Sequence, residues 1–243
     1  MITQEFENMV CSFTGCDGGN PKSEIWFCGL EPGLASDQEA MEINIQNITR
    51  EECPYNFELD DEYTYSAKVS QKICWFINDF YNYNWNYKNT RQFIKDYKIF
   101  YSSYNNGFGF KMNIFPIQFS EHADIYNWDS DDRKLIEKTG ITNFQEYRDI
   151  VMKKRGAFFR NLAKENSPKF IICFGNSDLM IQEYCDFWEL NTSNLTYNEE
   201  KHFYAIDYNN KTKIFITKFF GQGGILSHNE MRALAESIKN LLK

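Results

Sequence analysis

Residues 25–33 read IWFCGLEPG, and this short stretch decides the predicted fold. Its first five residues form an apolar run that ends in Gly29, which is the length and composition of a buried β-strand. Pro32 and Gly33 then predict a tight turn that leads toward a helical segment. A strand that is apolar on both faces is typical of a parallel sheet covered by helices on each side.

The rest of the chain repeats this alternation of short apolar runs and helical patterns. Residues 202–208, followed by two asparagines, predict a hairpin arm that pairs with the last apolar run. The strand candidates are residues 24–29, 110–115, 169–175 and 213–217, and the helix candidates are residues 66–80, 90–100, 143–165 and 229–242. We therefore predict one α/β domain over residues 1–243, a three-layer α/β/α sandwich with a short, mainly parallel central sheet.

The composition predicts a folded, acidic protein. The chain contains 22 Phe, 15 Tyr and 5 Trp, more apolar area than a disordered chain carries, and it has no apolar run long enough to span a membrane. Its N-terminus lacks the features of a signal peptide, so we expect a soluble, cytoplasmic protein with no membrane partner. Seven cysteines without a CxxC pair predict buried, reduced thiols, and three scattered histidines give no metal spacing. The net charge of -8 counts against a broad duplex-binding face.

Glu31 is the candidate catalytic residue within residues 25–33. Because the strand before it ends at Gly29, we expect Leu30, Glu31 and the backbone amides of the turn at the carboxyl end of a parallel strand, where open α/β sheets bind ligands. Successive N–H groups in such a turn can hold an anion or a water molecule. The alternative is an ordinary strand-to-helix turn with an exposed glutamate, and the pattern alone favours neither.

Four segments resemble motifs of the uracil-DNA glycosylase superfamily, and they follow the family's order. Residues 29–33, GLEPG, resemble its first motif, Gly-x-(Asp/Asn/Glu or other)-Pro-(Tyr/Gly), which follows the first core strand. Residues 111–116, KMNIFP, resemble the strand whose Asn reads the base edge, and residues 168–175, PKFIICFG, resemble a later core strand. Residues 217–230 precede the last helix, where the family places a His-Pro-Ser-like loop and this chain has a His-Asn pair.

The resemblance implies a DNA glycosylase that extrudes a base and hydrolyses its N-glycosidic bond without a metal or a cofactor. Glu31 matches the family's water-activating residue, and its carboxylate would also stabilise the cation-like sugar. His228 is the candidate donor to the departing base, and Asn113 is the candidate reader of the base edge. The base is uracil-like or a modified pyrimidine, including the kind found in phage DNA, and the DNA partner is single- or double-stranded. The other base-binding candidates are Gly29, Leu30 and Gly33.

The spacing of the motifs implies an insertion. Asn113 lies 84 residues after Gly29, which is long for the family and implies an inserted helical and aromatic region at about residues 50–109. Within it, residues 81–89, YNYNWNYKN, predict either a surface loop whose rings pack onto the domain or a stacking platform for exposed bases. The candidates for the ring that stacks on the extruded base are Phe57, Trp85 and Phe108.

A glycine-rich loop and a basic helix provide the candidate DNA contacts. Residues 219–224, FFGQGG, can approach a nucleic-acid backbone or can simply form a connection with positive φ. A basic cluster along one helix could contact phosphates, or could form only a solvated face; it comprises Lys153, Lys154, Arg155, Arg160 and Lys164. The loop candidates are Gln222, Gly223, Gly224, Ile225 and Lys218, with Ile225 and Leu226 as side chains that could wedge into a duplex.

Structural alternatives stay open for the site residues. Asn113 could satisfy backbone groups at a strand end, and His228 could cap the last helix or lie on its surface. His122 and His202 are expected at the surface or at the edge of the core. Two other functions also stay open: a non-catalytic nucleic-acid-binding protein of the same fold, which the acidic charge favours, and a nucleoside or nucleotide N-glycosidase that acts on small molecules.

Overall fold

The structure of the protein is a computed structural model that describes residues 2–30, 68–101, 106–117, 139–221, 223–225 and 227–243. Its strands are β1 (Gly18–Gly19), β2 (Ile25–Gly29), β3 (Phe110–Asn113), β4 (Phe170–Phe174), β5 (Thr196–Asn198), β6 (Phe203–Asp207) and β7 (Lys213–Thr217). Its α-helices are α1 (Gln4–Val10), α2 (Lys68–Tyr81), α3 (Thr90–Asp96), α4 (Phe144–Ile150), α5 (Gly156–Asn166), α6 (Asp178–Trp188) and α7 (His228–Leu241). A π-helical turn, Val151–Arg155, joins α4 to α5, and a 3-10 turn, Thr192–Asn194, follows α6.

The described strands form one seven-stranded sheet in the order β1-β3-β2-β4-β7-β6-β5. The four central strands, β3, β2, β4 and β7, are parallel to one another. At the two sides of the sheet, β1 pairs antiparallel with β3, β6 pairs antiparallel with β7, and β5 pairs antiparallel with β6. The sheet is therefore mixed, with as many antiparallel as parallel ladders, whereas the sequence predicted a mainly parallel one. The β6–β7 hairpin was predicted, but the two short edge strands β1 and β5 were not.

Local sequence signals fix where the helices begin and end. The Ser227 side chain accepts a hydrogen bond from the Glu230 backbone N–H (3.2 Å), and the Glu230 carboxylate accepts one from the Ser227 N–H (3.0 Å), which is a capping box at the start of α7. Helix α3 ends at Asp96 rather than at residue 100, because Lys98 has a φ of 50° and its carbonyl accepts a hydrogen bond from the Phe108 N–H (2.8 Å). The chain turns there into the approach to β3.

The sheet buries a hydrophobic cluster on each face. Side chains alternate along β2, so that Trp26 and Cys28 belong to one cluster and Ile25 and Phe27 to the other. Helices α1, α4, α5 and α6 contribute to the first cluster, and α2, α3 and α7 contribute to the second. Because helices cover both faces of the sheet, the predicted α/β class is confirmed at this coarse level.

The four parallel strands all end at the same edge of the sheet. Adjacent strands β2 and β4 pair residue by residue up to Cys28 and Cys173. After β2, the next described helix, α2, packs on one face, whereas α6, which follows β4, packs on the other. Connections that diverge to opposite faces leave a crevice outside the carboxyl ends of the strands, and open α/β sheets bind ligands there. The fold thus provides a candidate site next to the ends of β2 and β4.

Candidate functional site

The carboxyl ends of β2 and β3, which border this crevice, are hydrogen-bonded to each other. The two strands stay paired beyond their formal ends, because Ile114 N–H donates to the Gly29 carbonyl (3.0 Å) and Phe115 N–H donates to the Leu30 carbonyl (2.7 Å). Leu30 is 6% exposed and belongs to the core, so it lies at the predicted edge but offers little side-chain surface to a ligand. Several predicted site residues lie outside the described residues, and their roles stay predictions: Glu31, Gly33, Phe57, His122, Gln222 and Leu226.

Asn113 is the last residue of β3 and is 2% exposed. Its side-chain amide donates a hydrogen bond to the Gly15 carbonyl (2.7 Å), which ties the end of the strand to the turn after α1. This contact is the one that the structural alternative predicted. A role for Asn113 in reading a base stays a prediction.

Arg155 is fully buried behind Asn113, which corrects its placement among the candidate phosphate contacts. Its guanidinium donates to the carbonyls of Asn113 (3.0 and 3.2 Å), Ser12 (3.1 Å) and Thr14 (2.8 Å), and it lies 4.8 Å from the centre of the Phe159 ring. Burial lowers the pKa of Arg155. The side chain is directed inward from the π-helical turn, a feature that is frequent near functional sites, and it fixes the loop next to the β3 end.

The other basic residues of the predicted cluster do not form a single solvent-exposed positive surface. Lys154 pairs with Glu7, and Arg160 pairs with Glu189 (2.7 Å) while also donating to the Phe187 carbonyl. These contacts are internal to the protein, so most of the cluster already has partners. Lys153 and Lys164 are exposed and stay candidates for phosphate contacts.

His228 is the first residue of α7, and Ser227 rather than His228 caps the helix. The imidazole stacks on Tyr87, with ring centres 4.3 Å apart at 24°, and it meets Trp75 edge-on at 3.8 Å. Its Nε2 atom is buried and has no hydrogen-bond partner among the described residues. Asp79, which is 7% exposed, continues this cluster by accepting a hydrogen bond from the Tyr87 hydroxyl. Burial, and secondly this hydrogen bond, raise the pKa of Tyr87.

A cavity of about 400 Å³ lies on the other side of α7. It opens between the end of β7 and the first turns of the helix, with the β5–β6 turn as its third wall. Its lining comprises Glu200, Lys201, His202, Thr217, Lys218, Ile225, Asn229, Glu230, Ala233 and Leu234. At 100° per residue these α7 positions face away from His228, so the cavity and the imidazole lie on opposite sides of the helix. Lys218 is half-buried there, and no partner of its side chain is recorded within the described ranges.

A buried lysine of α2 donates hydrogen bonds to the backbone of the glycine-rich loop after β7. Lys72 is 6% exposed and donates to the carbonyls of Gly221 (3.1 Å) and Ile225, and burial lowers its pKa. Ile225 is itself 4% exposed, so this conformation does not offer it as a wedge, which corrects that expectation. Phe219 is the exposed apolar side chain, at 41%. Sequence reasoning missed Lys72, because a lysine inside a helical pattern normally indicates a solvated position.

Glycines are needed in this loop for two different reasons. A Cβ atom at Gly224 would lie 1.7 Å from the Phe219 carbonyl oxygen, so the backbone approaches too closely for a side chain. Gly223 has a φ of 82°, and no other group lies near the position of a Cβ atom there. The positive φ agrees with the loop as a simple connection, and the open space agrees equally with a backbone that approaches another molecule. The predicted DNA contacts at Gly223 and Gly224 stay predictions.

The predicted stacking rings are partly covered by the protein. Trp85 stacks on Phe93 with ring centres 4.4 Å apart, and Phe108 meets Tyr81 edge-on at 5.4 Å. Both rings therefore already have aromatic partners. A base would have to use their remaining surface.

Among the described residues, no group of three or more His, Cys, Asp or Glu side chains is placed to hold a metal ion. No helix in the described ranges combines the length and apolar character required to cross a membrane. No protein-family model matches this chain, and no curated protein matches it either, so the candidate site rests on the geometry given above.

Proposed function

We propose that this protein is a DNA glycosylase with a fold like that of the uracil-DNA glycosylase superfamily. One observation carries the proposal: the four segments that resemble the family's motifs contain or directly follow the four parallel strands, and these strands end at one edge. Residues 29–33 begin at the end of β2, Asn113 ends β3, and residues 217–230 begin at the end of β7. Segments that are far apart in the sequence thus begin or end at one edge of the sheet, the kind of edge where α/β sheets bind ligands.

The chemistry follows from the residue types at this edge. Glu31 would accept a proton from the attacking water while its charge stabilises the cation-like sugar. The new bond joins the water oxygen to the anomeric carbon, and the broken bond leaves its electrons on the pyrimidine ring. A donor near the ring oxygen would stabilise that charge, which is typically worth about a hundredfold in rate or more. The substrate is a uracil-like or modified pyrimidine in DNA, and the region of about residues 50–109, which includes α2 and α3, is the insertion.

A second candidate is a non-catalytic nucleic-acid-binding protein of the same fold. The position of His228 favours it, because the imidazole lies between Trp75 and Tyr87 and faces away from the cavity beside Lys218. A glycosylase with this arrangement would need a different donor for the departing base, or a movement of the start of α7.

The experiment is cleavage of oligonucleotides that contain uracil or modified pyrimidines, followed by alkali to break the strand at abasic sites. The glycosylase produces strand breaks that disappear in Glu31→Gln and persist in Glu236→Gln, an exposed glutamate on α7 that serves as the matched control. DNA binding without breaks in the wild type supports the second candidate. Release of free base from nucleosides but not from DNA indicates an enzyme acting on small molecules and overturns the proposal.

A further inference from the structure

The segment that contains α3 is positively charged on an otherwise acidic protein. Residues 82–98 contain four basic side chains and one acidic side chain, although the chain as a whole has a net charge of -8. All four basic residues are exposed, and we call them the cationic surface: Lys88, Arg91, Lys95 and Lys98. No ion pair is recorded for Lys88 or Lys98 with any residue that the structure describes. Because the chain as a whole is acidic, this locally basic segment is a place where a polyanion would be attracted.

The geometry of α3 aligns these charges. Arg91 and Lys95 are four residues apart and therefore neighbours on one side of the helix, about 6 Å apart at their Cβ atoms. Phe93 and Ile94 are buried, so the opposite side of α3 is fixed in the core. Arg91 and Lys95 thus lie side by side on a helix that is fixed against the core, while Lys88 precedes the helix and Lys98 follows it.

A stack of tyrosine rings lies beside this row. Tyr83 stacks on Tyr97 at 4.1 Å and on Tyr81 at 5.6 Å, with interplanar angles of 19° in both pairs. Tyr97 is 37% exposed, the highest value among the rings of the segment. Next to the stack, Asn82, Asn84 and Asn86 are exposed and alternate with the half-buried rings. The rings pack onto the domain, as one of the two sequence alternatives predicted, but the stack also presents an accessible aromatic end.

We propose that the cationic surface and Tyr97 together bind single-stranded DNA. Cations beside aromatic rings and amides are the combination that holds single strands, because the cations contact phosphates while every base offers a face for stacking. A duplex keeps its bases stacked on each other and cannot use Tyr97, and an acidic peptide would use the cations without the ring. The inference rests on the proposed function for the choice of DNA as the polymer, and it adds the strand preference and the place of binding.

The test measures binding rather than hydrolysis, so it is independent of whether the protein cleaves a glycosidic bond. A fluorescent thymidine oligonucleotide is titrated with the full chain, and its anisotropy is compared with that of the same strand in a duplex. In Arg91→Gln/Lys95→Gln we expect single-strand affinity to fall about tenfold at physiological salt, and the slope of log affinity against log salt to decrease by about 1.4. Tyr97→Leu, which keeps the charge, should lower the affinity at least about fivefold.

The matched control is Lys169→Gln/Lys211→Gln, which removes the same charge from two exposed lysines outside the cationic surface, just before β4 and β7, and should leave the affinity within twofold. Thermal melting of every variant establishes that it is folded. The proposal is overturned by equal binding of single strand and duplex, by equal losses in the control, or by undiminished binding in the α3 variants. Displacement of the oligonucleotide by polyglutamate at equal charge concentration also overturns it, because that result assigns the surface to acidic proteins.

Discussion

Replacing Arg155 with methionine tests whether a buried cation holds the loop behind the candidate site together. The guanidinium is 0% exposed and donates to three backbone carbonyls, those of Ser12, Thr14 and Asn113. Methionine fills similar space without donors, so three acceptors lose their partner. Each unsatisfied buried group costs about 1 to 3 kcal/mol, which gives a gross loss of about 3 to 9 kcal/mol.

The net effect is smaller, because the variant no longer has to bury a charge. Removing one side of a buried charged network typically costs about 3 to 5 kcal/mol, and we expect Arg155→Met to lie in that range. Arg155→Lys should be intermediate, because a single ammonium cannot span carbonyls that the planar guanidinium reaches together. A loss of this size is a large part of the total free energy of unfolding of a typical domain.

The assay is urea unfolding at neutral pH, read by tryptophan fluorescence and by circular dichroism. Lys153→Met is the matched control, because this lysine lies on the same π-helical turn but is exposed, and a substitution at such a position usually changes the free energy of unfolding by about 0.5 kcal/mol or less. If Arg155→Met unfolds within about 1 kcal/mol of the wild type with an unchanged denaturant slope, the carbonyl network does not hold the loop and the reasoning fails.

Two further predictions concern stability. Burial raises the pKa of Cys16 from 9.0 to about 11, so between these values the unfolded thiol ionises while the folded thiol keeps its proton. Cys16 should therefore contribute a fall of about 1.4 kcal/mol per pH unit to the free energy of unfolding in that window, in addition to the falls from the other buried thiols, and Cys16→Ala should reduce the slope measured by urea unfolding in reductant by about that amount. An identical decline in Cys16→Ala would contradict this. Ser227→Ala should lower the free energy of unfolding by about 1 kcal/mol, because it removes the capping box. The control is Ser193→Ala, whose recorded hydroxyl bonds go to neighbouring exposed asparagines and which should change the free energy of unfolding by less than about 0.5 kcal/mol. Equal losses in the two variants would show that the capping box does not stabilise the fold.

The central strands were predictable because a strand that is buried on both faces has a continuous run of apolar residues. The apolar runs of β2, β4 and β7 are found where the pattern placed them, and the two asparagines after β6 marked the hairpin. By contrast, β1 consists of Gly18 and Gly19, which carry no side-chain pattern at all. Its pairing depends on close backbone approach, since a Cβ atom at Gly19 would lie 2.4 Å from the Gly109 carbonyl oxygen. Such an edge strand is fixed by tertiary contacts that a local pattern does not contain.

The polar contacts around the site were less predictable than the strands. A run of Lys153, Lys154 and Arg155 in a helical pattern indicates a solvated face, and only the π-helical turn directs the third of these side chains into the core. Lys72 misleads in the same way, because five apolar residues follow it on α2 and nothing local shows that carbonyls from a loop more than 140 residues away will surround its ammonium group. Partners that are distant in the sequence decide the burial of a charge, whereas composition and period decide the burial of an apolar run.

These two buried cations share a feature that bears on what the carboxyl edge can do. Arg155 holds the end of β3, and Lys72 holds the loop after β7, and the hydrogen bonds that each donates to oxygen go to backbone carbonyls. Carbonyls, unlike a directly bonded carboxylate, leave the positive charge of the cation in place, although the charge of the Glu230 carboxylate also acts on Lys72. The two cations therefore flank the crevice from both sides while keeping its backbone in position. A ligand with negative charge, such as a DNA phosphate or a departing pyrimidine anion, would meet backbone groups that are already held in place, which is the condition under which electrostatic stabilisation is most effective.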